Sequence, residues 1–376
     1  MRQPKLSRLV NVPFVNLARA ADALRPELDA AAAGVIYSGS FVLGDEGRAF
    51  EHEFGSAIGT AHAVGVGSGT DAIELALRSL GIGHGDEVVT QANTCVPTIT
   101  GIARTGATPV LCDVELDGGT MDPDSLRAAI GPRTRAVVPV HLYGQCADID
   151  VLHEAAGDLQ LVEDCAQAHG AELRGRAAGT MGTLGCFSFY PTKNLGALGD
   201  GGAVVTDDGV LADRLRLLRH HGQSERSNHV IHGANSRLDE LQAALLRVKL
   251  PHLEVWNRRR AEIAARYAAA LEGTPVRPLP VLPERRHVFH LYVVQARKRD
   301  RFRAELERRG VGTLIHYPHP VHHYEPYREL GARVPLEHSE RFCERVLSLP
   351  LYPELTDAEV ETVAGAAREA ALAVEA

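Results

Sequence analysis

The chain has 376 residues, of which 45% are hydrophobic, and its formal net charge at pH 7 is -8. This length allows one large domain and one smaller domain, each with its own core. The acidic balance, with Lys and Arg spread along the sequence, argues against a nucleic-acid-binding surface. No segment approaches the roughly 18 consecutive apolar residues that a membrane span requires.

The cysteines and the N-terminal residues indicate the cellular compartment in which the protein resides. Six cysteines occur without any Cys-x-x-Cys spacing, mostly in apolar segments typical of strands. Such cysteines are typical of reduced core residues in a cytosolic protein. Residues 1–6 lead into apolar residues that Pro13 and two asparagines interrupt, so the apolar core of a signal peptide is lacking. We therefore expect a soluble, cytoplasmic protein.

Short apolar runs alternate with helical patterns in the first part of the chain. This alternation predicts an α/β fold with a largely parallel sheet and helices on both of its faces. The predicted strands are residues 63–66, 87–90, 109–112, 136–140 and 161–163.

The last part of the chain has a different pattern. Helical periodicity continues over residues 236–271, with Pro251 as the expected break, and the proline-rich residues 274–283 predict a linker. The elements predicted beyond it are a strand at 288–295 and helices near 301–309, 339–347 and 357–373. We therefore predict a large domain over residues 1–250 and a small α+β domain over residues 251–376.

Lys193 lies in the run FSFYPTKNLG, residues 187–196, between an apolar segment and a glycine-rich turn. A lysine in this position is well placed to form a Schiff base with a carbonyl cofactor. A solvated lysine beside a tight turn is the alternative. The residues upstream favour the first interpretation.

Asp164 ends a predicted buried strand in the run LVEDCAQAHG, residues 161–170. Open α/β sheets bind their ligands at the carboxyl ends of strands. Pyridoxal phosphate (PLP) needs an anion beside its ring nitrogen, because a protonated pyridinium is the better electron sink. An aspartate that caps the next helix is the ordinary alternative.

The run GVGSGTD, residues 65–71, precedes an apolar pattern typical of a helix packed on a sheet. Free backbone N–H groups and the helix dipole make such a helix start a phosphate site, to which Ser188 can add a hydroxyl. The glycines fit neither the dinucleotide fingerprint nor a Walker loop. Each signal is weak alone, but their order and roles agree on a PLP enzyme.

With these residues in place, the chain resembles the DegT/DnrJ/StrS sugar aminotransferases, which are PLP enzymes of the aspartate-aminotransferase fold. That fold, PLP fold type I, has a large domain with a mixed, mostly parallel sheet and a small C-terminal α+β domain. The resemblance extends nearly end to end. The runs that carry it are VPFVNL (12–17), FVLG (41–44), GIGHGDEV (81–88), VPVHLYG (138–144), NSRLDELQAA (235–244) and IHYP (315–318).

The resemblance implies roles for these residues. Lys193 forms the Schiff base with PLP, Asp164 pairs with the pyridine nitrogen, and Gln167 lies near the ring oxygen of the cofactor. The phosphate contacts that it implies are Gly69, Thr70, Ser188 and, from the partner subunit, Asn235. The active site then requires a homodimer.

The same resemblance indicates a substrate. The run PTKNLG (191–196), the Trp256-Asn257 pair and Tyr317-Pro318 favour the branch that acts on 3-keto-6-deoxyhexoses attached to dTDP. Two departures leave amination at C3 or C4 open. Cys95 occupies a cofactor-binding position where many relatives carry an aromatic residue that stacks on the pyridine ring. Residues 220–229 lack a Lys-Tyr pair associated with the 3-amino branch.

The histidine-rich loop HYPHPVHH, residues 316–323, raises the question of a metal, since imidazole is a common zinc ligand. Its two prolines and the lack of nearby Cys or carboxylate residues favour an extended loop, and we expect no metal. In the resembling family this loop borders the sugar-nucleotide pocket, which makes His316 and Tyr317 candidate substrate contacts. Arg226 and Arg237 are candidates for the pyrophosphate, with a surface salt bridge as the alternative for each.

The implied reaction takes the amino group of L-glutamate, passes through pyridoxamine phosphate, and delivers it to a nucleotide-linked keto sugar in ping-pong kinetics. A 4-keto sugar and a keto-cyclitol are alternative acceptors. A non-transaminating relative is a further alternative, either a sugar dehydratase or a cofactor-binding regulator. Lys193 argues against the dehydratase, which carries histidine at that position, and the lack of an appended DNA-binding segment argues against the regulator.

Overall fold

The computed structural model describes residues 12–330 and 332–374. Residues 1–11, on which the expected lack of a signal peptide partly rests, lie outside this range. Among the described residues, no helix has both the length and the apolar character needed to cross a membrane.

Helices and strands alternate along most of the chain. The helices are α1 (Leu17–Ala23), α2 (Arg25–Ser38), α3 (Asp45–Ile58), α4 (Gly69–Ser79), α5 (Val96–Arg104), α6 (Pro123–Ala129), α7 (Ile149–Ala156), α8 (Gly209–Leu218), α9 (Glu240–Lys249), α10 (Leu253–Leu271), α11 (Arg299–Arg308), α12 (Glu337–Arg345) and α13 (Asp357–Ala373). The strands are β1 (His62–Val66), β2 (Glu87–Gln91), β3 (Thr108–Cys112), β4 (Thr134–Val138), β5 (Gln160–Asp164), β6 (Glu172–Leu173), β7 (Arg176–Ala177), β8 (Leu184–Ser188), β9 (Gly202–Thr206), β10 (Gln223–Glu225), β11 (Asn228–His229), β12 (Arg277–Pro278), β13 (Arg285–Arg286), β14 (Tyr292–Gln295) and β15 (Val346–Leu349).

A seven-stranded sheet forms the centre of the fold, in the order β1-β9-β8-β5-β4-β2-β3. Neighbouring strands from β8 to β3 are parallel, whereas β9 is antiparallel to both β8 and β1. All strands except β9 therefore run in one direction, and their carboxyl ends meet at one edge. The predicted α/β class with a mixed, mostly parallel sheet is confirmed, and each of the five strands predicted between residues 63 and 163 matches an observed one to within two residues at either end.

Apolar cores cover both faces of this sheet because successive strand residues point to opposite sides. On one face, Leu75 and Leu215, from α4 and α8, lie in the same buried cluster as Cys186 of β8. On the other face, Phe54 of α3 packs edge-on against Phe187, the next residue of β8, with ring centroids 5.1 Å apart. Removing a fully buried phenylalanine side chain costs about 3 to 5 kcal/mol, so this aromatic cluster holds α3 firmly on the sheet.

The C-terminal elements have a buried cluster of their own. Strands β12, β14 and β15 form an antiparallel sheet, and α10, α11 and α13 pack with it around Tyr267, Phe302 and Leu347. Pro251 lies in a single 3-10 turn, Leu250–His252, between α9 and α10, at the predicted break. The domain boundary between residues 250 and 251 stays a prediction.

Three predictions for this region were wrong in detail. The helix predicted over residues 339–347 ends at Arg345, and the residues that follow form β15, because β14 offers backbone hydrogen bonds to an extended chain there. The strand predicted over 288–295 begins only at Tyr292. The linker predicted over 274–283 contains β12, which pairs with the other edge of β14.

Candidate active site

Asp164 is the last residue of β5, and its carboxylate is buried. Oδ1 accepts a hydrogen bond from the N–H of Ala166 at 3.0 Å, and Oδ2 accepts one from the hydroxyl of Thr98 at 2.8 Å. Burial raises the pKa of Asp164, while these two donors and the nearby Lys193 oppose that increase. A cationic group beside this carboxylate would stabilise its ionised form further.

Lys193 follows β8 and is held by a tight turn, in which its backbone N–H donates to the carbonyl of Tyr190 at 2.8 Å. The next residue, Asn194, is buried and donates from Nδ2 to the carbonyl of Val288. Burial lowers the pKa of Lys193, and nearby Cys95 and Asp164 act in the opposite direction. The structure therefore brings the predicted amine and the predicted carboxylate into one site.

The start of α4 lies against the end of β8. A Cβ atom added to Gly69 would lie 2.6 Å from Cβ and 3.1 Å from Oγ of Ser188, so only glycine permits this approach. Ser68 caps the helix, and Gly69 and Thr70 follow it in the first turn. N–H groups in a first helical turn have no partner within the helix, and together with a hydroxyl they form a donor set suited to phosphate.

Gln167 connects the end of β5 to the histidine-rich loop. Its Oε1 accepts a hydrogen bond from the backbone N–H of Tyr143 at 2.6 Å, and its Nε2 donates to the hydroxyl of Tyr317 at 3.1 Å. The hydroxyl of Tyr143 donates to the carbonyl of His316, whose Nδ1 lies 2.8 Å from Oγ of Ser348. Burial lowers the pKa of His316 to about 4, so its imidazole is neutral at pH 7.

Cys95 is half-buried and immediately precedes α5. Burial raises the pKa of its thiol, while the nearby hydroxyl of Tyr317 and the charge of Lys193 act against the increase. The loop that carries Tyr317 therefore places an aromatic side chain beside Cys95. Residue 95 is itself the position at which the expected aromatic residue is absent, and Tyr317 lies beside it.

Three predicted residues form no hydrogen bond with this group in the described part of the chain, although Ser236, which lies between two of them, accepts one from the N–H of Gly67 at 2.9 Å. Arg226 is exposed between β10 and β11, and Asn235 is exposed next to an isolated backbone bridge with His220. Arg237 donates to Nδ1 of His220 at 3.1 Å. Within the described ranges, no hydrogen bond joins any of the three to Lys193, and neither arginine forms a salt bridge.

Comparison with known proteins assigns the chain to a family. Residues 22–368 match the DegT/DnrJ/EryC1/StrS aminotransferase family. The chain belongs to this family. The dTDP-3-amino-3,4,6-trideoxy-alpha-D-glucose transaminase of Streptomyces venezuelae is 49% identical to it over 362 residues, which are 95% of this chain and 96% of the relative.

Solved structures of the family agree over nearly the whole chain. The crystal structure of S. venezuelae DesV in complex with ketimine intermediate matches with a TM-score of 0.93 and 48% identity, covering 96% of this chain and 98% of DesV. The crystal structure of NtdA from Bacillus subtilis with bound cofactor PMP matches with a TM-score of 0.89 and 29% identity, covering 98% of this chain and 86% of NtdA.

The protein is therefore a PLP-dependent aminotransferase of fold type I, as the sequence predicted. The residues present fit the cofactor. Gly69 leaves a gap at the start of α4 that a Cβ atom would fill, beside the hydroxyl of Ser188. Asp164 supplies a buried anion, and Lys193 supplies an amine whose pKa burial lowers. The gap and the hydroxyl suit the phosphate of the cofactor, the anion suits its pyridinium, and the amine suits its carbonyl carbon.

Sequence reasoning missed several residues of the site. Tyr143 lies in a run that carries the family resemblance, without a role of its own, and Thr98 lies outside those runs, three residues after Cys95. Thr94 and Thr98 are four residues apart across the start of α5, a spacing that favours contact between their two hydroxyls, and Thr98 donates to Asp164. Tyr143 had no such signal, because its contacts with Gln167 and His316 depend on the tertiary fold.

The expectation that the histidine-rich loop lacks a carboxylate partner was wrong. Glu340 of α12 places Oε1 3.1 Å from Nε2 of His322 and 3.4 Å from Nε2 of His323. The loop also contains a 3-10 turn over Val321–His323 and is not simply extended. Glu340 is distant in sequence from the two histidines, so a search for neighbouring carboxylates in the sequence does not find it.

Proposed function

We propose that the protein transfers the amino group of L-glutamate to C3 of a dTDP-linked 3-keto-6-deoxyhexose, in the biosynthesis of a deoxyaminosugar. The relative from S. venezuelae is named for a 3-amino sugar attached to dTDP, which supports both the nucleotide and the position of amination. The observation that carries the proposal is the convergence of Lys193 and Asp164 at the carboxyl edge of the sheet, beside the start of α4.

Each of these residues has a role in the proposal. Lys193 would hold PLP through its carbonyl carbon, Asp164 would pair with the ring nitrogen, and Gln167 would contact the ring oxygen. When bound, PLP supplies an electron sink for the carbon that carries the amino group. Once the donor amine had taken its place on the carbonyl carbon, the freed Nζ of Lys193, with a pKa lowered by burial, would accept the proton from the amino-bearing carbon of the donor. Burial of Asp164 keeps water from screening its charge.

The phosphate site combines two subunits. Backbone N–H groups of Gly69 and Thr70 and the hydroxyl of Ser188 bind the phosphate from one chain. Asn235 reaches it from the partner subunit. The exposed position of Asn235 in a single chain supports this arrangement, because a second chain can then cover it.

Exposed apolar side chains near the site support a homodimer. The side chain of Tyr37 is 90% exposed, and Phe41 and Tyr190 are also exposed. The carbonyl of Phe41 accepts a hydrogen bond from the N–H of Glu240 at 3.1 Å, so this surface adjoins the segment that carries Asn235. Large apolar side chains exposed in this way are candidates for a subunit interface.

The substrate contacts follow from the histidine-rich loop and from two cations. His316 and Tyr317 lie at the end of the site that Gln167 connects to β5. Arg226 and Arg237 form no salt bridge among the described residues, so their charges are available to a pyrophosphate group. Together they supply recognition of a sugar that carries a nucleotide.

Product analysis tests the proposal directly. The purified protein, PLP and L-glutamate are incubated in separate reactions with dTDP-linked 3-keto- and 4-keto-6-deoxyhexoses, and the products are identified by mass spectrometry. We expect amine from the 3-keto sugar, and none when Lys193→Ala replaces the wild type. Amine from the 4-keto sugar alone supports the alternative, which the departures at Cys95 and in residues 220–229 leave open. No amine from either sugar contradicts a sugar-nucleotide acceptor and leaves a keto-cyclitol.

A further inference from the structure

A histidine pair and a carboxylate converge on the surface beside the histidine-rich loop. Nε2 of His322 and Nε2 of His323 lie 3.1 and 3.4 Å from the same oxygen atom, Oε1 of Glu340. The ligand atoms of all three residues lie within 4.8 Å of one another. None of the three is among the residues to which the proposed transamination assigns a role.

The distances fit a shared metal ion. Zinc binds imidazole nitrogen and carboxylate oxygen at about 2.0 to 2.2 Å, so tetrahedral ligand atoms lie about 3.4 Å from one another. The two nitrogen-to-oxygen separations, 3.1 and 3.4 Å, agree with that spacing. We propose that His322, His323 and Glu340 form a binding site for Zn²⁺ or a similar divalent transition metal, with a fourth position open to water.

The two segments that supply these ligands are fixed independently. The backbone N–H of Val321 donates to the carbonyl of Ala92 at 2.8 Å, which anchors the 3-10 turn to the large sheet. At the start of α12, Asp113 accepts hydrogen bonds from the N–H and the hydroxyl of Ser339 at 2.7 and 2.6 Å. The ligands are therefore held in place before an ion arrives, which reduces the ordering that binding requires.

The ligand set and its exposure define the kind of ion. Two imidazoles favour zinc, cobalt, nickel or copper over magnesium and calcium, which prefer oxygen ligands. Side chains of His323 and Glu340 are 44% and 45% exposed, so an ion can enter from solvent. Nδ1 of His322 is buried and has no hydrogen-bond partner among the described residues. Because the second ring nitrogen of His322 has no such partner to orient the imidazole, we expect metal binding roughly 10- to 100-fold weaker than at a site where each histidine makes that hydrogen bond.

The position of the site gives it a structural role. His322 and His323 lie on the same loop as His316 and Tyr317, and Glu340 lies on α12. A bound ion ties this loop to α12 without occupying the place of the cofactor. The metal site does not depend on which sugar the enzyme uses.

Cobalt titration tests the site. Holoenzyme without a polyhistidine tag is titrated with CoCl2, and binding is followed by the visible absorption of tetrahedral Co²⁺, with ZnCl2 as competitor. The two test variants are His323→Gln and Glu340→Gln. The matched control is His52→Gln, because His52 is exposed on α3 and is remote in sequence from the three ligands.

We expect one Co²⁺ per chain in the wild type and in His52→Gln, displaced by Zn²⁺, with at least tenfold weaker binding in both test variants. Retained transaminase activity in the variants would show that they are folded. Equal binding by wild type and both test variants would overturn the site, as would the absence of stoichiometric binding in the wild type. The cobalt titration does not depend on whether either keto sugar is aminated, so the metal site and the proposed function can be contradicted separately.

Discussion

The hydroxyl of Thr98 donates a hydrogen bond to Oδ2 of Asp164 at 2.8 Å. The hydroxyl of Thr94 lies 2.8 Å from that of Thr98, and all three side chains are buried. Burial raises the pKa of Asp164, and the Thr98 hydroxyl is one of the groups that oppose this. The threonine therefore helps to keep the carboxylate ionised and fixed in orientation, which is the state that a protonated ring nitrogen requires.

Thr98→Val should lower kcat/KM for L-glutamate by about 10- to 100-fold, because a hydrogen bond to a charged group contributes roughly 1.5 to 3 kcal/mol. The absorbance spectrum of the bound cofactor should also change its pH dependence, because Asp164 is then less readily ionised. Thr100→Val is the control, since the hydroxyl of Thr100 donates to the carbonyl of Val96 within α5. Wild-type kinetics and spectrum in Thr98→Val would contradict this role for Thr98.

Gly69→Ala should weaken PLP binding at least tenfold. Its Cβ would lie 2.6 Å from Cβ of Ser188, so either α4 or the end of β8 must move away from the phosphate. Titration of the apoenzyme with PLP, followed by absorbance, measures the effect. Gly365→Ala is the matched control, since Gly365 is exposed on α13 with open space around it, and this change should stabilise the helix by up to about 1 kcal/mol. Equal affinity in both variants would rule out a tight approach at Gly69.

The reaction with glutamate should depend on pH through Lys193. Burial lowers the pKa of this amine from 10.5, and a base must be unprotonated to accept a proton. The rate should therefore rise with increasing pH, with a midpoint below 10.5. Stopped-flow absorbance of the half-reaction measures this midpoint. A midpoint at or above the value of a free lysine would argue against proton transfer by Lys193.

His169 should make the apoenzyme sensitive to acid. Its ring lies between Phe187 and Phe189, without a hydrogen-bond partner among the described residues, and burial lowers its pKa to about 3. Between pH 6.5 and about 3, the unfolded chain binds a proton that the folded chain does not, so stability falls as the pH falls. The contribution of this histidine is about 1.4 kcal/mol per pH unit.

Urea unfolding of the wild type and His169→Leu at pH 7 and pH 5, at one protein concentration, checks that slope. We expect the variant to lose less stability between the two pH values than the wild type. His52→Leu, at an exposed position on α3, is the control and should keep the wild-type difference. Parallel losses in the wild type and His169→Leu would show that His169 is not the acid-sensitive group.

Subunit complementation tests the shared phosphate site. Lys193→Ala and Asn235→Ala should each have little activity alone, and mixed dimers should regain about a quarter of wild-type activity, because one of the two sites is then intact in half of the dimers. A mixture of Lys193→Ala and Asp164→Ala is the control, since both residues belong to the same site in one chain. If neither mixture regained activity, Asn235 would not belong to the active site of the partner subunit.

Residues that follow strands were predictable, whereas residues that meet across the fold were not. Asp164 and Lys193 were identified because a strand end has a local signature and the carboxyl ends of parallel strands share an edge. Tyr143 and Glu340 contact their partners through segments far apart in the sequence. Val346 was predicted as helix because its apolar side chain continues the helical pattern, and only pairing with β14 decides its conformation.

The reversed strand β9 sets an order for the assembly of the protein. β1 lies at the edge of the sheet and pairs with β9, so that His62 meets Thr206 and Val66 meets Gly202. During synthesis the ribosome must release residues 202–206 before β1 gains this neighbour, and pairing over such a distance is slow. Until then β1, which leads into the turn before α4, has an unpaired edge, and unpaired strand edges are prone to aggregation. We therefore expect cofactor capture to be a late event in biogenesis, after β9 has closed the sheet.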